Sequence, residues 1–124
     1  MISKDQINEF SKRLAIDEFT IIREYIQVVF LSVMYSIPDS SKVYFKGGTA
    51  IRLLLKSGRF SEDLDFTSEL PATKLDEIVN ETIKKMSLII PDMKLKRTEE
   101  NKFAYTGILS YHPEGMKHPL NIHL

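Results

Sequence analysis

The sequence predicts an α/β fold (α+β mixed) in which helices flank a small mixed β-sheet and further helices precede it. Three observations predict this class. Apolar residues recur at helical spacing through residues 3–36, an apolar strand followed by a glycine pair and a short helix occupies residues 43–56, and from Met93 the apolar period changes to two. The predicted order is therefore helices, a β-α-β-α core and an antiparallel meander.

Length and composition limit the possible classes of protein. The 124 residues suit one domain with a modest core, in which 1–36 form a helical part and 43–124 the rest. Apolar residues make up 43% and charged residues 27%, which is typical of a soluble globular protein. The 17 basic residues equal the 17 acidic ones, so no global field attracts nucleic acid and an RNA contact would need a local patch. The absence of cysteine excludes disulfides and thiolate metal sites.

No segment of the sequence predicts export or membrane insertion. The first residues, MISKDQ, lack the apolar core of a signal peptide. The longest apolar run is far shorter than the roughly 20 residues that a membrane-spanning helix needs. We therefore expect a cytoplasmic protein.

Two helices open the chain. Residues 3–15 are predicted to form an amphipathic helix because their apolar residues recur at helical spacing. Asp17 is suited to cap a second helix, and this helix is predicted to end near Pro38 because the residue before proline avoids the helical region. The broad apolar face of the second helix comprises Phe19, Ile22, Ile26, Val29, Phe30 and Val33.

The segment Val43–Lys46 is the first predicted strand. It is apolar enough to be a central strand of the sheet. A glycine pair follows it, and then a third helix over residues 49–56. The residues of this helix that are expected to face inward are Ile51, Leu54 and Leu55. Arg52 and Lys56 share the opposite side, which we interpret as a solvated face rather than an RNA contact.

The rest of the chain is predicted to contain one more helix and several strands. The elements are a strand at 64–66, a helix that opens at Pro71, a polar turn at 98–101, a strand at 103–111, a loop at 112–119 and a strand-like run at 120–124. Because the chain ends inside that last run, with no turn or polar tail, we expect it to be part of a longer protein that continues at the C-terminus.

Two aspartates lie on the second predicted strand, separated by one leucine. Side chains alternate along a strand, so Asp63 and Asp65 are expected to share a face at a distance of about 6–7 Å. At an effective dielectric constant of about 20, two ionised carboxylates at that distance repel by about 2–3 kcal/mol. A divalent cation removes this repulsion, and Mg²⁺ (or Mn²⁺) prefers such oxygen ligands. The alternative is a pair of solvated carboxylates near a strand end.

A glycine pair lies between the first strand and the third helix. Gly47 and Gly48 allow a ligand to approach the backbone closely, and free N–H groups at the helix N-terminus face an anion. The pair therefore predicts a phosphate site. The alternative is a tight strand-to-helix turn without a ligand.

Together these segments resemble a known superfamily. Residues 45–53 (FKGGTAIRL) and residues 59–66 (RFSEDLDF) resemble the nucleotidyltransferase superfamily. Its pattern begins with an apolar residue, a glycine and then a second glycine or a serine. After a spacer of about a dozen residues it continues with Asp-x-Asp or Asp-x-Glu between apolar residues. The two segments resemble more closely the AbiEii/AbiGii toxin family of bacterial type IV toxin–antitoxin and phage-abortive (abortive infection) systems. The resemblance implies a nucleotidyltransferase-like core.

The resemblance also implies a reaction, which is transfer of a nucleoside monophosphate from an NTP to an acceptor with release of pyrophosphate. The acceptor that it suggests is an RNA such as tRNA, or a protein, and it implies a cognate antitoxin as a partner. Asp63 and Asp65 would hold the magnesium ions. Gly47, Gly48 and Thr49 would cradle the triphosphate with backbone N–H groups and a hydroxyl.

Three further residues near the motif are assigned to the nucleotide by the resemblance. Arg59 would reach the phosphates, because a guanidinium pairs with them bidentately. Ser61, two residues before Asp63, would orient that aspartate or contact phosphate. Lys46 would give electrostatic support. The alternative for Arg59 is a surface ion pair, for which Glu62 is one candidate partner.

The sequence departs from the family in one important respect. The family has a third carboxylate on a later strand, where it helps to bind metal and activates the attacking hydroxyl. Here that strand contains Asn121, Ile122, His123 and Leu124, so either the acid lies beyond this segment or a non-acid replaces it. The alternative to an active enzyme is therefore a truncated, non-catalytic remnant that binds nucleotide or a partner. A third interpretation is an interaction domain in which the motif only shapes a turn.

Three other groups of side chains have structural interpretations. The histidines lack zinc-ligand spacing on one element, and we interpret the first two as loop residues: His112, His118 and His123. An aromatic stripe is interpreted as sheet core rather than a base-stacking platform: Phe103, Tyr105 and Tyr111. A set of basic residues is interpreted as a solvated face rather than a rim for RNA: Lys84, Lys85, Lys94, Lys96 and Arg97.

Overall fold

Helices dominate the first half of the chain and strands the last third. The computed structural model describes residues 2–100, 104–113 and 120–124, apart from the side chains of residues 97 and 100. The helices in these ranges are α1 (Lys4–Leu14), α2 (Glu18–Met34), α3 (Gly47–Leu55) and α4 (Ala72–Met86). The strands are β1 (Val43–Lys46), β2 (Asp65–Ser68), β3 (Lys94–Glu100), β4 (Tyr105–Tyr111) and β5 (Leu120–His123). This order confirms the predicted α/β class.

The first two helices begin where local sequence predicts. Ser3 caps α1: its hydroxyl accepts from the Gln6 N–H at 3.1 Å, and the Gln6 side chain accepts from the Ser3 N–H at 2.9 Å. This reciprocal pair satisfies two of the N–H groups that a helix start leaves unpaired. Asp17 precedes α2 as predicted, but its carboxylate makes no bond to the helix backbone. The helix ends at Met34, before the predicted limit near Pro38.

The described strands form two antiparallel sheets. β1 pairs with β2 in one sheet, and the other has the order β3-β4-β5. The expectations of a single mixed sheet and of β1 as a central strand are therefore wrong. The physical reason is visible at Tyr44, which is 49% exposed and donates its hydroxyl to the Glu69 carboxylate at 2.8 Å. One face of β1 is thus solvated, which an antiparallel sheet tolerates.

A hydrogen bond joins the two sheets just before β2. The Leu64 N–H donates to the carbonyl of His123, at the end of β5, at 2.9 Å. Leu64 itself is fully buried. The bond and the burial together hold the segment before β2 against the edge of the three-stranded sheet.

The hydrophobic core lies between the helices α2 and α4 and the strands. Its most buried apolar members are Ile26, Phe30, Leu64, Met86, Ile90, Leu109, Leu120 and Ile122. Among the described residues, none of the helices combines the length and the hydropathy that a membrane span requires.

Helix α3 packs in a different orientation from the one predicted. Ile51, Leu54 and Leu55 are 52%, 71% and 75% exposed, so the expectation that they face the core is wrong. Thr49 and Ala50, in the first turn, are buried instead. The apolar spacing of the helix is regular, but the helix is short and contacts the core through its N-terminal turn, which leaves its last turn in solvent.

The C-terminal strands agree with the predicted meander except at one turn. β3 continues through residues 98–100, where a polar turn was predicted, and its register with β4 shifts between Lys96 and Glu99. Predictions that involve Asn101, Phe103, His118 and the side chain of Arg97 lie outside the described residues, as does most of the predicted loop at 112–119.

Candidate active site

The two aspartates lie on either side of a buried leucine. Asp65 is the first residue of β2, and Asp63 precedes the strand. Leu64 is fully buried, whereas Asp63 and Asp65 are exposed. Because burial alternates along these three residues, both carboxylates lie on the solvent side, as strand periodicity predicts.

The glycine turn and Asp65 are in direct contact. Gly47 has φ +84°, in the left-handed region that other residues rarely adopt. A Cβ atom at Gly47 would lie 2.5 Å from Asp65 Oδ2, which is far inside van der Waals contact. The register of the sheet also pairs Lys46 with Asp65. Backbone conformation and space thus both require glycine here.

The second glycine faces the segment that precedes the aspartates. A Cβ atom at Gly48 would lie 3.1 Å from Ser61 Oγ. The structure therefore brings the glycine turn, Ser61 and Asp65 into one place, as the combined motif predicts. Their roles in binding stay predictions.

Two buried polar side chains hold the backbone of this segment, and sequence analysis missed one of them. Gln27, on α2, is 1% exposed, and its Nε2 donates to the carbonyls of Ser61 at 3.0 Å and Glu62 at 3.2 Å. Thr49 is fully buried, and its hydroxyl donates to the carbonyl of Asp63. The hydroxyl of Thr49 is thus engaged inside the protein, unlike the predicted contact with phosphate. A polar residue on the apolar face of α2 was the signal that could have identified Gln27.

Two cationic residues belong to the predicted site, and of these Lys46 lies next to an aspartate through its pairing with Asp65. Lys46 is exposed and lines a cleft of about 340 Å³ with Asp65, Phe66 and Ser68. That volume is in the range of about 300–1,000 Å³ that is usual for small-molecule sites. Gly47, Gly48 and Asp63 do not line this cleft. Arg59 is also exposed, and its side chain forms no ion pair with the described residues.

The predicted alternative for Arg59, a surface ion pair, is not formed with any described residue, and the candidate partner Glu62 has a different contact. Glu62 lies 3.5 Å from a guanidinium nitrogen of Arg23, on α2. The loop between α3 and β2 therefore directs Glu62 towards α2. The cationic side chain of Arg59 stays available to a ligand.

Arg52 is not on a solvated face, which corrects a second interpretation. Its Nε donates to the Glu24 carboxylate at 2.9 Å, and its guanidinium carbon lies 3.9 Å from the centre of the Phe60 ring. It also donates to the carbonyl of Ser57. These contacts tie the loop between α3 and β2 to α2. Lys56 is exposed, as predicted.

The strand that should contain a third carboxylate does lie beside the aspartates. β5 reaches Leu64 through the carbonyl of His123, and its exposed residues are Asn121 and His123. Among the described residues, no group of three or more acidic or histidine side chains is placed to hold a metal ion. The acidic donors at the candidate site are therefore Asp63 and Asp65.

Comparison with known proteins gives two findings. A family model described as nucleotidyl transferase AbiEii toxin, type IV TA system, matches residues 30–120, which include both motif segments. No curated protein matches the chain. Among solved structures, MenT4, a nucleotidyltransferase toxin from Mycobacterium tuberculosis, is similar with a TM-score of 0.58 and 18% identity, over 98% of this chain and 43% of that one. The structural likeness shows a shared fold, and this chain spans less than half the length of MenT4.

Proposed function

Because the chain belongs to the AbiEii nucleotidyltransferase toxin family, we propose that it binds a nucleoside triphosphate with Mg²⁺ and transfers the nucleoside monophosphate to an acceptor. The observation that supports this most directly is the contact between Gly47 and Asp65, where a Cβ atom would lie 2.5 Å from the carboxylate. A phosphate-binding turn and a metal-binding carboxylate must be adjacent if a metal is to bridge them. In this chain the residues proposed for these two roles, Gly47 and Asp65, are in contact.

The side chains at the site fit a hard divalent cation. Asp63 and Asp65 are exposed carboxylates on the solvent side of Leu64, and the Gly47 turn leaves room for the Asp65 carboxylate against the backbone. Mg²⁺ (or Mn²⁺) is usually bound through one or two carboxylates plus substrate phosphates. When bound, the ion would neutralise negative charge on the phosphate oxygens.

The remaining candidate residues would bind the triphosphate. Helix α3 begins at Gly47, and the N–H groups of the exposed residues Gly47 and Gly48 would face the phosphates, because a helix N-terminus favours an anion. The Ser61 hydroxyl, beside Gly48, would donate a further hydrogen bond. Lys46 and Arg59 would place positive charge near the phosphates, with Arg59 able to pair bidentately.

The proposed reaction is an in-line displacement at the α-phosphorus. An acceptor hydroxyl oxygen forms a bond to that phosphorus, the bond to the bridging oxygen breaks, and pyrophosphate leaves with the electron pair while the hydroxyl proton passes to water. From the family we propose an RNA such as tRNA as the acceptor, with a protein hydroxyl as the alternative. We place the reaction in the cytoplasm, with a cognate antitoxin and a role in abortive infection.

A second candidate function is nucleotide binding without transfer. It is favoured by β5, whose exposed residues are Asn121 and His123 where the family has a carboxylate. In two-metal catalysis the two ions stabilise the attacking and leaving oxygens, so we expect a chain without one of the metal-binding acids to lose most of the activity. This candidate shares the binding site of the first and differs only in the chemical step.

Nucleotide titration with and without Mg²⁺ tests the binding site. We expect Mg²⁺-dependent binding of an NTP to the wild type and its loss in the double variant Asp63→Asn, Asp65→Asn. A matched control is Glu77→Gln, Glu81→Gln, which removes two exposed carboxylates on α4 that do not line the cleft. Unchanged binding in the aspartate variant, or equal loss in the control, would contradict the site assignment.

Incubation with NTP radiolabelled at the α-phosphate separates the two candidate functions, because that phosphate is the one that the proposed reaction transfers. Transfer predicts label on total RNA or on a protein, and only in the wild type. Mg²⁺-dependent binding with no label on either acceptor supports the second candidate and excludes transfer by this chain.

A further inference from the structure

The segment from Ser61 to Leu64 is held by buried side chains at its carbonyls and by the bond from the Leu64 N–H to β5. It lies outside the regular strands, since β2 begins at Asp65. Its three successive carbonyls, at residues 61, 62 and 63, each accept a hydrogen bond from a buried side chain. Two side chains, those of Gln27 and Thr49, donate these three hydrogen bonds.

Gln27 is a buried amide whose donors point at this segment. It lies on α2 between the core residues Ile26 and Phe30 and is 1% exposed. A primary amide has two N–H donors, and its Nε2 contacts the carbonyls of Ser61 at 3.0 Å and Glu62 at 3.2 Å. A buried amide is costly unless it is hydrogen-bonded. The position of the segment and the burial of Gln27 are therefore energetically coupled.

Thr49 connects the glycine turn to the backbone of the first aspartate. It follows Gly48 directly, is fully buried, and donates its hydroxyl to the carbonyl of Asp63. One side chain thus links the predicted phosphate-binding turn to the predicted metal ligand.

The two aspartates are held by different means. Asp65 is fixed by the β1–β2 ladder, where it pairs with Lys46. Asp63 precedes the ladder, and its carbonyl is held by Thr49. The separation of the two carboxylates therefore depends on the bonds from Gln27 and Thr49 as well as on the β1–β2 ladder and the bond from the Leu64 N–H to His123.

We propose that Gln27 and Thr49 are positioning residues that set the place of the Asp63 carboxylate relative to Asp65 and thereby the affinity of the site for the metal–nucleotide complex. This inference rests on the proposed function. Groups that orient metal ligands without touching the metal typically contribute about 10- to 100-fold to metal affinity or activity. Neither residue has to contact the nucleotide through its side chain.

The test compares four single variants: Gln27→Met, Thr49→Val, Thr49→Ser and Thr82→Val. Gln27→Met and Thr49→Val keep the approximate shape of the side chain and remove its donors. Thr49→Ser retains the hydroxyl. Thr82 is the matched control, because it is fully buried and also donates its hydroxyl to a backbone carbonyl, that of Ile78 at 2.7 Å, but it lies on α4.

The readout is the Mg²⁺ concentration that gives half-maximal nucleotide binding, measured well below the melting temperature of each variant. We expect it to rise by about 10- to 100-fold in Gln27→Met and Thr49→Val. We expect it to stay near the wild-type value in Thr49→Ser and Thr82→Val. Stability alone does not produce this pattern, because Thr49→Val and Thr82→Val each remove one buried hydroxyl bond.

Each result supports or overturns the inference. The inference is overturned if Gln27→Met and Thr49→Val need no more Mg²⁺ than the wild type. It is also overturned if Thr82→Val raises the Mg²⁺ requirement as much as they do. In either case the proposed function still stands, provided that the Asp63→Asn, Asp65→Asn variant loses binding. If the wild type shows no Mg²⁺-dependent binding, the proposed function and this inference both fail. If Gln27→Met does not fold, the pair Thr49→Val and Thr49→Ser decides.

Discussion

Replacement of Gly47 by alanine should damage both the fold and the candidate site. At φ +84°, a residue with a Cβ atom pays about 1–2 kcal/mol for the left-handed backbone conformation. The new methyl group would also lie 2.5 Å from Asp65 Oδ2 and 3.2 Å from Asp65 Cβ. Rotation of the carboxylate relieves only the first contact, so the backbone must also move, and overpacking of this kind typically costs about 1–3 kcal/mol.

The expected result is a loss of stability together with loss of Mg²⁺-dependent nucleotide binding. For a domain of this size, each kcal/mol lowers the melting temperature by about 4 °C. Urea unfolding and thermal melting followed by circular dichroism measure the first effect, and nucleotide titration measures the second.

Gly58 provides the matched control for this prediction. It has no positive φ, and a Cβ atom there would meet nothing within 4 Å. Gly58→Ala should therefore be neutral or slightly stabilising, by up to about 1 kcal/mol, because alanine restricts the unfolded chain. If Gly47→Ala is as stable as Gly58→Ala and still binds nucleotide with Mg²⁺, the argument that Gly47 and Asp65 form one site is refuted.

Three further predictions concern the surroundings of the site. Arg52→Lys should destabilise the protein by about 1 kcal/mol in urea unfolding. Lysine cannot keep both the bidentate bond to the Glu24 carboxylate and the stacking on the Phe60 ring. Unchanged stability would show that these contacts are unimportant. The hydrogen bond to Glu69, and then the negative charge of Glu69, raise the pKa of Tyr44 above its usual 10.0. The stabilisation from this bond is therefore present below pH 10 and is lost as the pH rises through the raised pKa. Glu69→Gln should lower the pKa of Tyr44, which a titration of phenolate absorbance measures. An unchanged titration curve would contradict the assignment. Leu54 is 71% exposed and Leu64 is 0% exposed. Leu54→Ser should therefore change the free energy of unfolding by no more than about 0.5 kcal/mol, whereas Leu64→Ala should lower it by about 2–5 kcal/mol. Similar losses in both variants would contradict the observed orientation of α3.

Much of the candidate site could be predicted because its pattern is local. The alternation of Asp63, Leu64 and Asp65 follows from the geometry of an extended chain, and it holds although the strand begins only at Asp65. The need for glycine at position 47 is likewise a property of a single backbone conformation. The order of strand, glycine turn, helix and aspartates along the chain then allows the glycine turn and the aspartates to come into contact.

The errors in the prediction share a different cause. Apolar spacing correctly indicated that α3 is a helix, but it could not indicate which face of the helix packs on the core. The orientation of α3 depends on contacts of Arg52 with Glu24, on α2, and with the ring of Phe60, which follows α3 in the chain. The same holds for β1, whose pairing with β2 rather than with a larger sheet depends on where residues far along the chain are placed.

By itself, the sequence determined the helices, the strand that leads into Gly47 and the shared face of the two aspartates. Each of these follows from contacts between residues a few positions apart, which are the same in any fold that contains the segment. Only the tertiary structure decided that Gln27 would hold residues 61 and 62 and that Thr49 would hold residue 63. Hydrogen bonds between residues so distant in the chain form only after packing has brought α2, α3 and the aspartates together.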